Sequence, residues 1–477
     1  MNFPERGLGK DEILSILAQY KQQDLAWRSG KVLAYTYDPG KDAEEVTKAA
    51  YMMYLSENAL DPTTYPSVLR LENEVVRMVA DLLRGDEHVV GNFTSGGTES
   101  ILLAVKTARD KARAERPEIK APEMVLPLTA HPAFRKAGAY FDVKPVFVPF
   151  DRETFRADVD AMRDAITDNT ILLVASAPGY AQGVVDPIEE VGALALEKGL
   201  LFHVDGCVGG IQLSLMRRMG GYAVPDFDFS VPGVTSISTD LHKYGYAAKN
   251  ASSILYRNKD IRKYQIFAST STTTYVLINP TLLSTKSAGP MAGAWAVLHY
   301  FGEEGYRDMI REVMETTQRM IDGIHATGDL RILGQPQMPM FSMASDVVNV
   351  YQLADEMGKR GWYLQPQLST PLSPPNLHIT VNQNTTPLVD AFLDELGQGL
   401  QTVKDSYAPL NIEELRAEVE KSIQDLTPEA FQQILAMGGI SGTTLPNEMA
   451  VINSVLDVLP DSVCEELLVG FMNDLYA

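Results

Sequence analysis

The segment Ser236-Ile-Ser-Thr-Asp-Leu-His-Lys-Tyr-Gly-Tyr-Ala-Ala-Lys-Asn-Ala-Ser-Ser-Ile-Leu-Tyr256 gives the strongest indication of the fold. It predicts a short strand over residues 235–238, a polar turn, and a second strand over residues 252–256. Lys243 lies on the turn. A lysine between two buried strands is poorly solvated, which lowers the pKa of its ammonium group and leaves an amine that attacks carbonyl groups. Lys243 is therefore a candidate covalent residue, and the alternative is an ordinary lysine on a surface loop.

The composition is that of a globular protein. The 477 residues allow two or three domains, and 45% are apolar while 22% are charged. The net charge of −21 argues against nucleic acid and anionic membranes as partners. No apolar run approaches the roughly 18 residues of a membrane-spanning helix, and the N-terminus lacks a signal-peptide core. Cys207 and Cys464 cannot build a disulfide framework, so we expect a cytoplasmic protein.

Strands and helices are predicted to alternate through the first half of the chain. The runs 171–176 and 200–205 are continuously apolar, as in strands buried on both faces of a sheet. Further strands are predicted over residues 88–92, 124–129 and 143–149, and helices over residues 69–83, 158–166 and 188–198. This alternation is typical of an α/β fold with a mainly parallel sheet covered by helices. Ligands bind such sheets at the C-terminal ends of the strands.

The chain is predicted to divide into three parts. These are an N-terminal helical arm (1–60), a large domain (61–290), and a small α/β C-terminal domain with an acidic helical tail (291–477). In the last part we predict helices over residues 303–326 and 386–403, and strands over residues 347–351 and 377–381.

Groups at the predicted strand ends match the needs of the cofactor pyridoxal 5'-phosphate (PLP). Its phosphate requires an anion site, and the segment Thr94-Ser-Gly-Gly-Thr-Glu-Ser100 supplies free N–H groups at a helix start. Its pyridine nitrogen requires a carboxylate, and Asp205 ends a buried strand. Its aldehyde requires a lysine, which Lys243 supplies. Ser238 and His242 are candidate helpers for the phosphate, and no residue is assigned to a metal.

Four segments carry a resemblance to a known family: Thr94–Ser100, Ala177–Pro178 with Gly183–Pro187, His203–Gly210, and Ser236–Tyr246 with Lys249. They resemble the sphingosine-1-phosphate lyases, which belong to the group II PLP-dependent decarboxylases. The resemblance covers nearly the whole chain. It implies PLP-dependent transferase fold type I, the fold of aspartate aminotransferase.

The resemblance also implies roles for individual residues. Lys243 would bind the cofactor aldehyde and Asp205 would pair with the pyridinium nitrogen. His131 would stack on the ring. The remaining implied cofactor contacts are Gly97, Thr98 and His242, together with Ser284 and Thr285 acting on the dimer partner's cofactor phosphate. A homodimer with shared active sites is therefore implied. Lys249 matches a second family lysine near the substrate, and either Tyr37 or Tyr35 matches a substrate-binding tyrosine.

Three departures from the family pattern concern the substrate. Asp61 replaces a family histidine that looks toward the substrate phosphate, and its carboxylate would repel a phosphate by roughly 1 to 4 kcal/mol at ~4 Å. Ala181-Gln182-Gly183 replaces a Pro-His-Gly form, and Lys286 replaces an arginine. The cofactor residues are all present.

Two reactions fit this pattern. A carbon–carbon lyase would remove a proton from a β-hydroxyl and open the Cα–Cβ bond, giving an aldehyde and a shorter amine. Lys249, Tyr180 or a bound phosphate would be the base. An amino acid decarboxylase would instead release CO₂, with a cation such as Lys249 or Lys286 near the carboxylate. The lyase is favoured, and a PLP carrier without activity would be expected to lack Lys243 or Asp205.

Overall fold

The structure, a computed structural model, describes residues 3–271, 275–407 and 448–476. Within these ranges, no helix is both long enough and apolar enough to cross a membrane. The predicted acidic tail, which begins at residue 411, lies largely outside them.

A seven-stranded sheet forms the centre of the large domain, with strand order β1-β7-β6-β5-β4-β2-β3. Its strands are β1 (Val90–Thr94), β2 (Glu123–Pro127), β3 (Lys144–Val148), β4 (Thr170–Ser176), β5 (Leu201–Asp205), β6 (Ser236–Asp240) and β7 (Ser252–Tyr256). Strand β7 is antiparallel to both neighbours, and the pairs from β6 to β3 are parallel. The C-terminal ends of β1, β4, β5 and β6 therefore lie at one edge. Every residue of β4 is buried, which explains its continuous apolar run.

Helices form most of the N-terminal segment and also cover the large sheet. In chain order they are α1 (Lys10–Lys21), α2 (Lys41–Met53), α3 (Pro66–Leu82), α4 (Gly97–Glu115), α5 (Ala133–Phe141), α6 (Val159–Ala165), α7 (Ile188–Lys198), α8 (Gly210–Met219), α9 (Lys259–Arg262) and α10 (Ala288–Ala326). Helix α10 consists of two segments that meet at Gly302, where φ is +55°. Before it lies the hairpin of β8 (Phe267–Ser269) and β9 (Leu277–Asn279).

A second, four-stranded antiparallel sheet follows α10, with strand order β10-β11-β13-β12. Its strands are β10 (Arg331–Ile332), β11 (Met340–Ala344), β12 (Gln365–Gln367) and β13 (Asn376–Thr380). The helices of this part are α11 (Val350–Lys359), α12 (Val389–Ser406), α13 (Ala450–Val458) and α14 (Asp461–Leu475).

The N-terminal segment is only partly an arm. Helix α1 buries none of its residues. Leu33, in contrast, is fully buried in the core of the second sheet. Its N–H donates to the carbonyl of Tyr363 at 3.0 Å, and its carbonyl accepts from the N–H of Thr380 at 2.7 Å. The segment around Leu33 is therefore part of the C-terminal core.

The fold-type prediction is confirmed, and the predicted strands of the large sheet lie within two residues of those observed. The strand predicted over residues 347–351 is wrong, because α11 begins there. The Asn349 side chain accepts hydrogen bonds from the N–H groups of Tyr351 and Gln352 at 2.9 and 3.2 Å, so it caps this helix. Helix capping thus prevails over the strand preference of the Val-Val-Asn-Val-Tyr run.

Candidate active site

A cavity of about 340 Å³, which we call the inner cavity, lies at the C-terminal edge of the large sheet. The ends of four strands and the start of α4 surround it. Its lining residues include Ser95, Gly96, Gly97, Thr98, His131, Ser176, Asp205, Cys207, Asp240, His242 and Lys243. The segment after β1, Ser176 at the end of β4 and Asp205 at the end of β5 therefore converge on one cavity.

Lys243 forms an ion pair that the sequence analysis did not identify. Its Nζ lies 3.0 Å from Oδ2 of Asp240, a buried carboxylate at the end of β6. Burial by itself lowers the pKa of Lys243, but the charge of Asp240 and the electrostatic contributions of the neighbouring Cys207, Tyr37 and Asp205 together outweigh burial and raise the pKa above its ordinary value. The prediction that burial leaves a free amine is therefore wrong for the cofactor-free site, where Lys243 is an ammonium group.

Asp205 accepts two hydrogen bonds, one from the turn after β5 and one from β6. Its Oδ1 accepts from the N–H of Cys207 at 3.1 Å and from Oγ of Ser238 at 3.3 Å. Ser238 is fully buried, does not line the inner cavity, and also contacts Nε2 of His203 at 3.2 Å. Ser238 therefore orients the Asp205 carboxylate and does not lie at the predicted phosphate site.

The start of α4 forms the opposite side of the inner cavity. Glu99 accepts from the N–H of Ser95 at 2.6 Å, which fixes the turn that leads into the helix. A methyl group at Gly97 would lie 2.8 Å from Sγ of Cys207 and 2.9 Å from Oδ2 of Asp240. Only glycine fits this position, and the backbone of α4 therefore approaches the cavity closely.

The two histidines at the cavity are fixed through their Nδ1 atoms. Nδ1 of His131 accepts from the N–H of Ala133 at 3.1 Å, and Nδ1 of His242 accepts from the N–H of Ala251 at 3.1 Å. Burial lowers the pKa of His131, so its ring is neutral.

A second cavity of about 620 Å³, which we call the outer cavity, adjoins the inner one. Four residues line both: His131, Tyr180, His242 and Lys243. The outer cavity is also lined by Tyr35, Tyr37, Leu128, Thr129, Phe150, Gln182, Lys249, Gln365, Gln367, Leu368 and Asn376. Both candidate tyrosines, Tyr35 and Tyr37, thus lie where a substrate would enter. No arginine is present among the described residues of this lining.

Lys249 is the second lysine of the outer cavity. Its Nζ donates to the carbonyl of His242 at 3.1 Å and lies 5.0 Å from the ring centroid of Tyr37. Lys249 is an exposed residue, but partial desolvation of its ammonium group lowers its pKa, and the positive charge of Lys243 lowers it further. Burial raises the pKa of Tyr37 to about 12, so this phenol is neutral.

Four residues expected near the substrate or the phosphate lie outside both cavities. Asp61 is exposed and accepts hydrogen bonds from the N–H and hydroxyl of Thr63, each at 2.7 Å. Lys286 is buried, with Nζ 2.7 Å from Oε1 of Glu72. Ser284 and Thr285 lie on an exposed loop next to Lys286. Within one chain, none of these four residues can contact a ligand in either cavity.

Asp240 was not predicted as a site residue, although the reasoning that selects Asp205 also selects it. Asp240 ends β6 as Asp205 ends β5, and it precedes Lys243 by three residues. Gln365 and His378, in contrast, come from the second sheet and had no signal in the sequence.

The inner cavity fits PLP on its own chemistry. A lysine lies between a buried carboxylate and a helix start that admits only glycine, and a neutral imidazole lies beside them. A carboxylate suits the pyridinium nitrogen, the helix N–H groups suit the phosphate, and the amine suits the aldehyde.

Comparisons with known proteins agree with this geometry. A family described as "Pyridoxal-dependent decarboxylase conserved domain" matches residues 26–344, and one described as "Pyridoxal-dependent enzyme, C-terminal putative HTH domain" matches residues 394–474. The chain is 41% identical to the sphingosine-1-phosphate lyase of Arabidopsis thaliana over 416 residues, which cover 85% of this chain and 75% of the relative.

The chain is also similar to a solved lyase structure and to a decarboxylase. The structure of a sphingosine-1-phosphate lyase from Burkholderia pseudomallei superposes with a TM-score of 0.81 at 35% identity, covering 90% of this chain and 98% of that one. A probable L-aspartate decarboxylase of Pyrococcus abyssi is 33% identical over 361 residues, 76% of this chain and 90% of the relative. The chain therefore belongs to the pyridoxal-dependent decarboxylase family and, within it, to the sphingosine-1-phosphate lyase group.

Proposed function

We propose that this chain is a PLP-dependent carbon–carbon lyase that cleaves a phosphorylated, long-chain β-hydroxy amine into an aldehyde and a shorter phosphorylated amine. The observation that carries the proposal is the joining of two cavities at Lys243: an inner one that fits PLP and an outer one with a second lysine, Lys249, and no arginine in its described lining. The substrate class follows from the names of the relatives.

The inner cavity would hold the cofactor through residues of four elements. Asp205 keeps a proton on the pyridine nitrogen, and Ser238 keeps the carboxylate oriented. Gly97 and Thr98 bind the phosphate with N–H groups of α4, helped by His242. His131 would lie against one face of the ring, and Lys243 would supply the amine that binds the aldehyde. When bound, PLP accepts the electron pair released at the α carbon of the substrate.

Lys249 is the base that we assign to the β-hydroxyl. A base must be uncharged before it accepts a proton, and partial desolvation together with the charge of Lys243 lowers the pKa of Lys249. Tyr180 is a poorer candidate, because burial raises its pKa and its hydroxyl already donates to Gln365 at 2.8 Å. Once Lys249 has taken the proton, the Cα–Cβ bond opens and the β carbon leaves as an aldehyde.

The decarboxylase alternative rests on the Pyrococcus abyssi relative. An α-carboxylate would require a fixed cation beside the inner cavity. Lys286, one candidate for this cation, is instead paired with Glu72, and apart from the cofactor lysine Lys243 the described lining offers one lysine, Lys249. The outer cavity, lined by Tyr35, Leu128, Phe150 and Leu368 among others, suits an apolar chain better than a short amino acid.

We also propose a homodimer with shared active sites. Apolar side chains are exposed on α1 and around the β8–β9 hairpin, including Ile13, Leu14, Leu17, Tyr20, Phe267, Val276, Ile278, Leu282 and Leu283. Such surfaces are typical of subunit interfaces. Ser284 and Thr285 continue from this hairpin, where they would reach the partner's cofactor phosphate. The cytoplasmic location stays a prediction, to be checked by cell fractionation.

Mixing two inactive variants tests the shared site. A Lys243→Ala chain combined with a Ser284→Ala/Thr285→Ala chain forms hybrid dimers, each with one site that carries no substitution. About a quarter of all sites should then be active. Absence of recovery in a mixture shown to exchange subunits would mean that Ser284 and Thr285 do not serve the partner's site.

Product analysis by mass spectrometry tests the reaction. The PLP-loaded protein is given phosphorylated and unphosphorylated β-hydroxy amines and common amino acids. Aldehyde together with a shortened phosphorylated amine is expected, and Lys243→Ala should abolish it. Lys249→Met should lower kcat while PLP absorbance is retained. If an amino acid gave an amine lighter by CO₂ and no β-hydroxy amine gave an aldehyde, the chain would be a decarboxylase and not a lyase.

A further inference from the structure

The loop over residues 179–183, which follows β4, is attached to the second sheet. The carbonyl of Ala181 accepts from Oγ of Ser342 at 2.5 Å and contacts Nδ1 of His378 at 2.8 Å. A methyl group at Gly183, where φ is +70°, would lie 2.3 Å from the carbonyl of Met340. The loop therefore cannot move without β11 and β13.

His378 supports the ring of Tyr180 within this attachment. Because its Nδ1–H donates to the Ala181 carbonyl, its Nε2 accepts from the Thr380 hydroxyl, at 2.9 Å. The imidazole is fully buried, and burial lowers its pKa to about 4, so it stays neutral. Its centroid lies 4.4 Å from that of the Tyr180 ring, with the planes 31° apart.

Gln365 holds the other end of Tyr180. It lies directly opposite His378 in the β12–β13 register, so both side chains stand on one face of the strand pair. Its Oε1 accepts from the Tyr180 hydroxyl at 2.8 Å. One strand pair thus fixes both the ring and the hydroxyl of a residue that lines both cavities.

We propose that Gln365 and His378 are positioning residues that hold the Tyr180 phenol at the junction of the cavities, where its O–H donates to an oxygen of the bound substrate. In the empty site the O–H donates to Oε1 of Gln365; with substrate bound, the phenol oxygen accepts from the side-chain N–H of Gln365 instead, so the hydroxyl stays held. This role rests on the proposed lyase function, since the substrate oxygen is that of the β-hydroxyl and the departing aldehyde. The second sheet is then part of the catalytic apparatus and not only a scaffold.

A double-mutant cycle between Tyr180→Phe and Gln365→Met tests the proposal. Tyr180→Phe should lower kcat by about tenfold, the size of one hydrogen bond, with KM little changed. Gln365→Met should lower kcat by less, also with little change in KM. In the double variant, kcat should equal that of Tyr180→Phe alone, because Gln365 acts only through the phenol.

Gln367→Met is the matched control, because Gln367 follows on the same strand and lines the same cavity. In a double variant with Tyr180→Phe, the fold-loss in kcat caused by Gln367→Met should multiply with the fold-loss caused by Tyr180→Phe. The proposal would be overturned if the kcat losses of Gln365→Met and Tyr180→Phe also multiplied in their double variant. Full turnover by Tyr180→Phe would overturn it as well. Absence of lyase turnover in the unmodified protein would instead overturn the proposed function.

A measurement without turnover tests the contact itself. In protein labelled with ¹³C at tyrosine Cζ, the Tyr180 resonance is assigned by its loss in Tyr180→Phe. It should shift in Gln365→Met and in His378→Asn, which keeps a donor to Ala181 but removes the ring. It should stay in place in Gln367→Met. A Tyr180 signal unmoved by Gln365→Met would overturn the proposal whatever the substrate.

Discussion

Asp240→Asn is expected to accelerate the covalent loading of PLP. At 3.0 Å, the attraction between Asp240 and Lys243 is worth about 5 kcal/mol at an effective dielectric constant of about 20, and it holds the pKa of Lys243 up. Without the carboxylate, burial remains and lowers the pKa of Lys243. A larger fraction of the lysine is then the free amine that attacks the aldehyde.

Stopped-flow absorbance of cofactor-free protein mixed with PLP measures this rate across pH. In the unmodified protein the rate should rise about tenfold per pH unit, because the pKa of Lys243 lies above the range and the free amine increases with pH. In Asp240→Asn the rate should be higher by at least about tenfold near pH 8, and it should level off at lower pH.

Two controls separate the lysine from other effects. Asp61→Asn removes an exposed carboxylate outside both cavities and should leave the loading rate unchanged. Pyridoxal, which lacks the phosphate, should also load faster in Asp240→Asn, because the effect acts through Lys243 and not through relief of charge repulsion. An unchanged rate and an unchanged pH slope in Asp240→Asn would refute the counter-ion role of Asp240.

Three further predictions concern the glycine at the start of α4, the buried ion pair of Lys286 and the turn at Asp61. Gly97→Ala should raise the Kd of PLP by about tenfold or more in absorbance titrations, since its methyl group overlaps Cys207; Gly96→Ala, whose methyl group meets only a ring carbon at 3.5 Å, should not. Lys286→Met should lower the free energy of unfolding by about 3–5 kcal/mol, because Glu72 loses its ion-pair partner; the thermal midpoint should fall, and adding Glu72→Gln should partly restore it. Asp61→His should leave kcat/KM unchanged for a phosphorylated amine and for its unphosphorylated form, because Asp61 lies outside both cavities; a rise confined to the phosphorylated amine in steady-state assays would show that the turn faces the substrate phosphate bound by the partner subunit.

Local sequence patterns predicted the central sheet and half of the site. The strand ends at Asp205 and Ser176 can be predicted because a continuous apolar run followed by turn residues shows where a buried strand stops. Parallel strands then bring those ends to one edge of the sheet. Lys243 follows from the same reasoning. Its protonation state does not, because it depends on a carboxylate whose distance is known only in the folded chain.

Residues that act across the fold had no local signal. Lys286 looked like a ligand for an anion, yet it meets Glu72, which lies on α3 far earlier in the chain. Gln365 and His378 belong to short strands that are unremarkable in sequence, and they reach Tyr180 only because the second sheet packs against the loop after β4. Pairings of this kind arise from tertiary packing and not from periodicity.

The position of Leu33 links the order of synthesis to the order of assembly. This residue emerges early, but both of its backbone partners belong to the C-terminal part of the chain. The second core therefore cannot close until nearly all of the chain is available, and a contact between such distant segments forms slowly because a long loop must close first. A C-terminal fragment lacking this segment would leave an open slot beside β13, which another copy's N-terminal segment could enter as a domain swap.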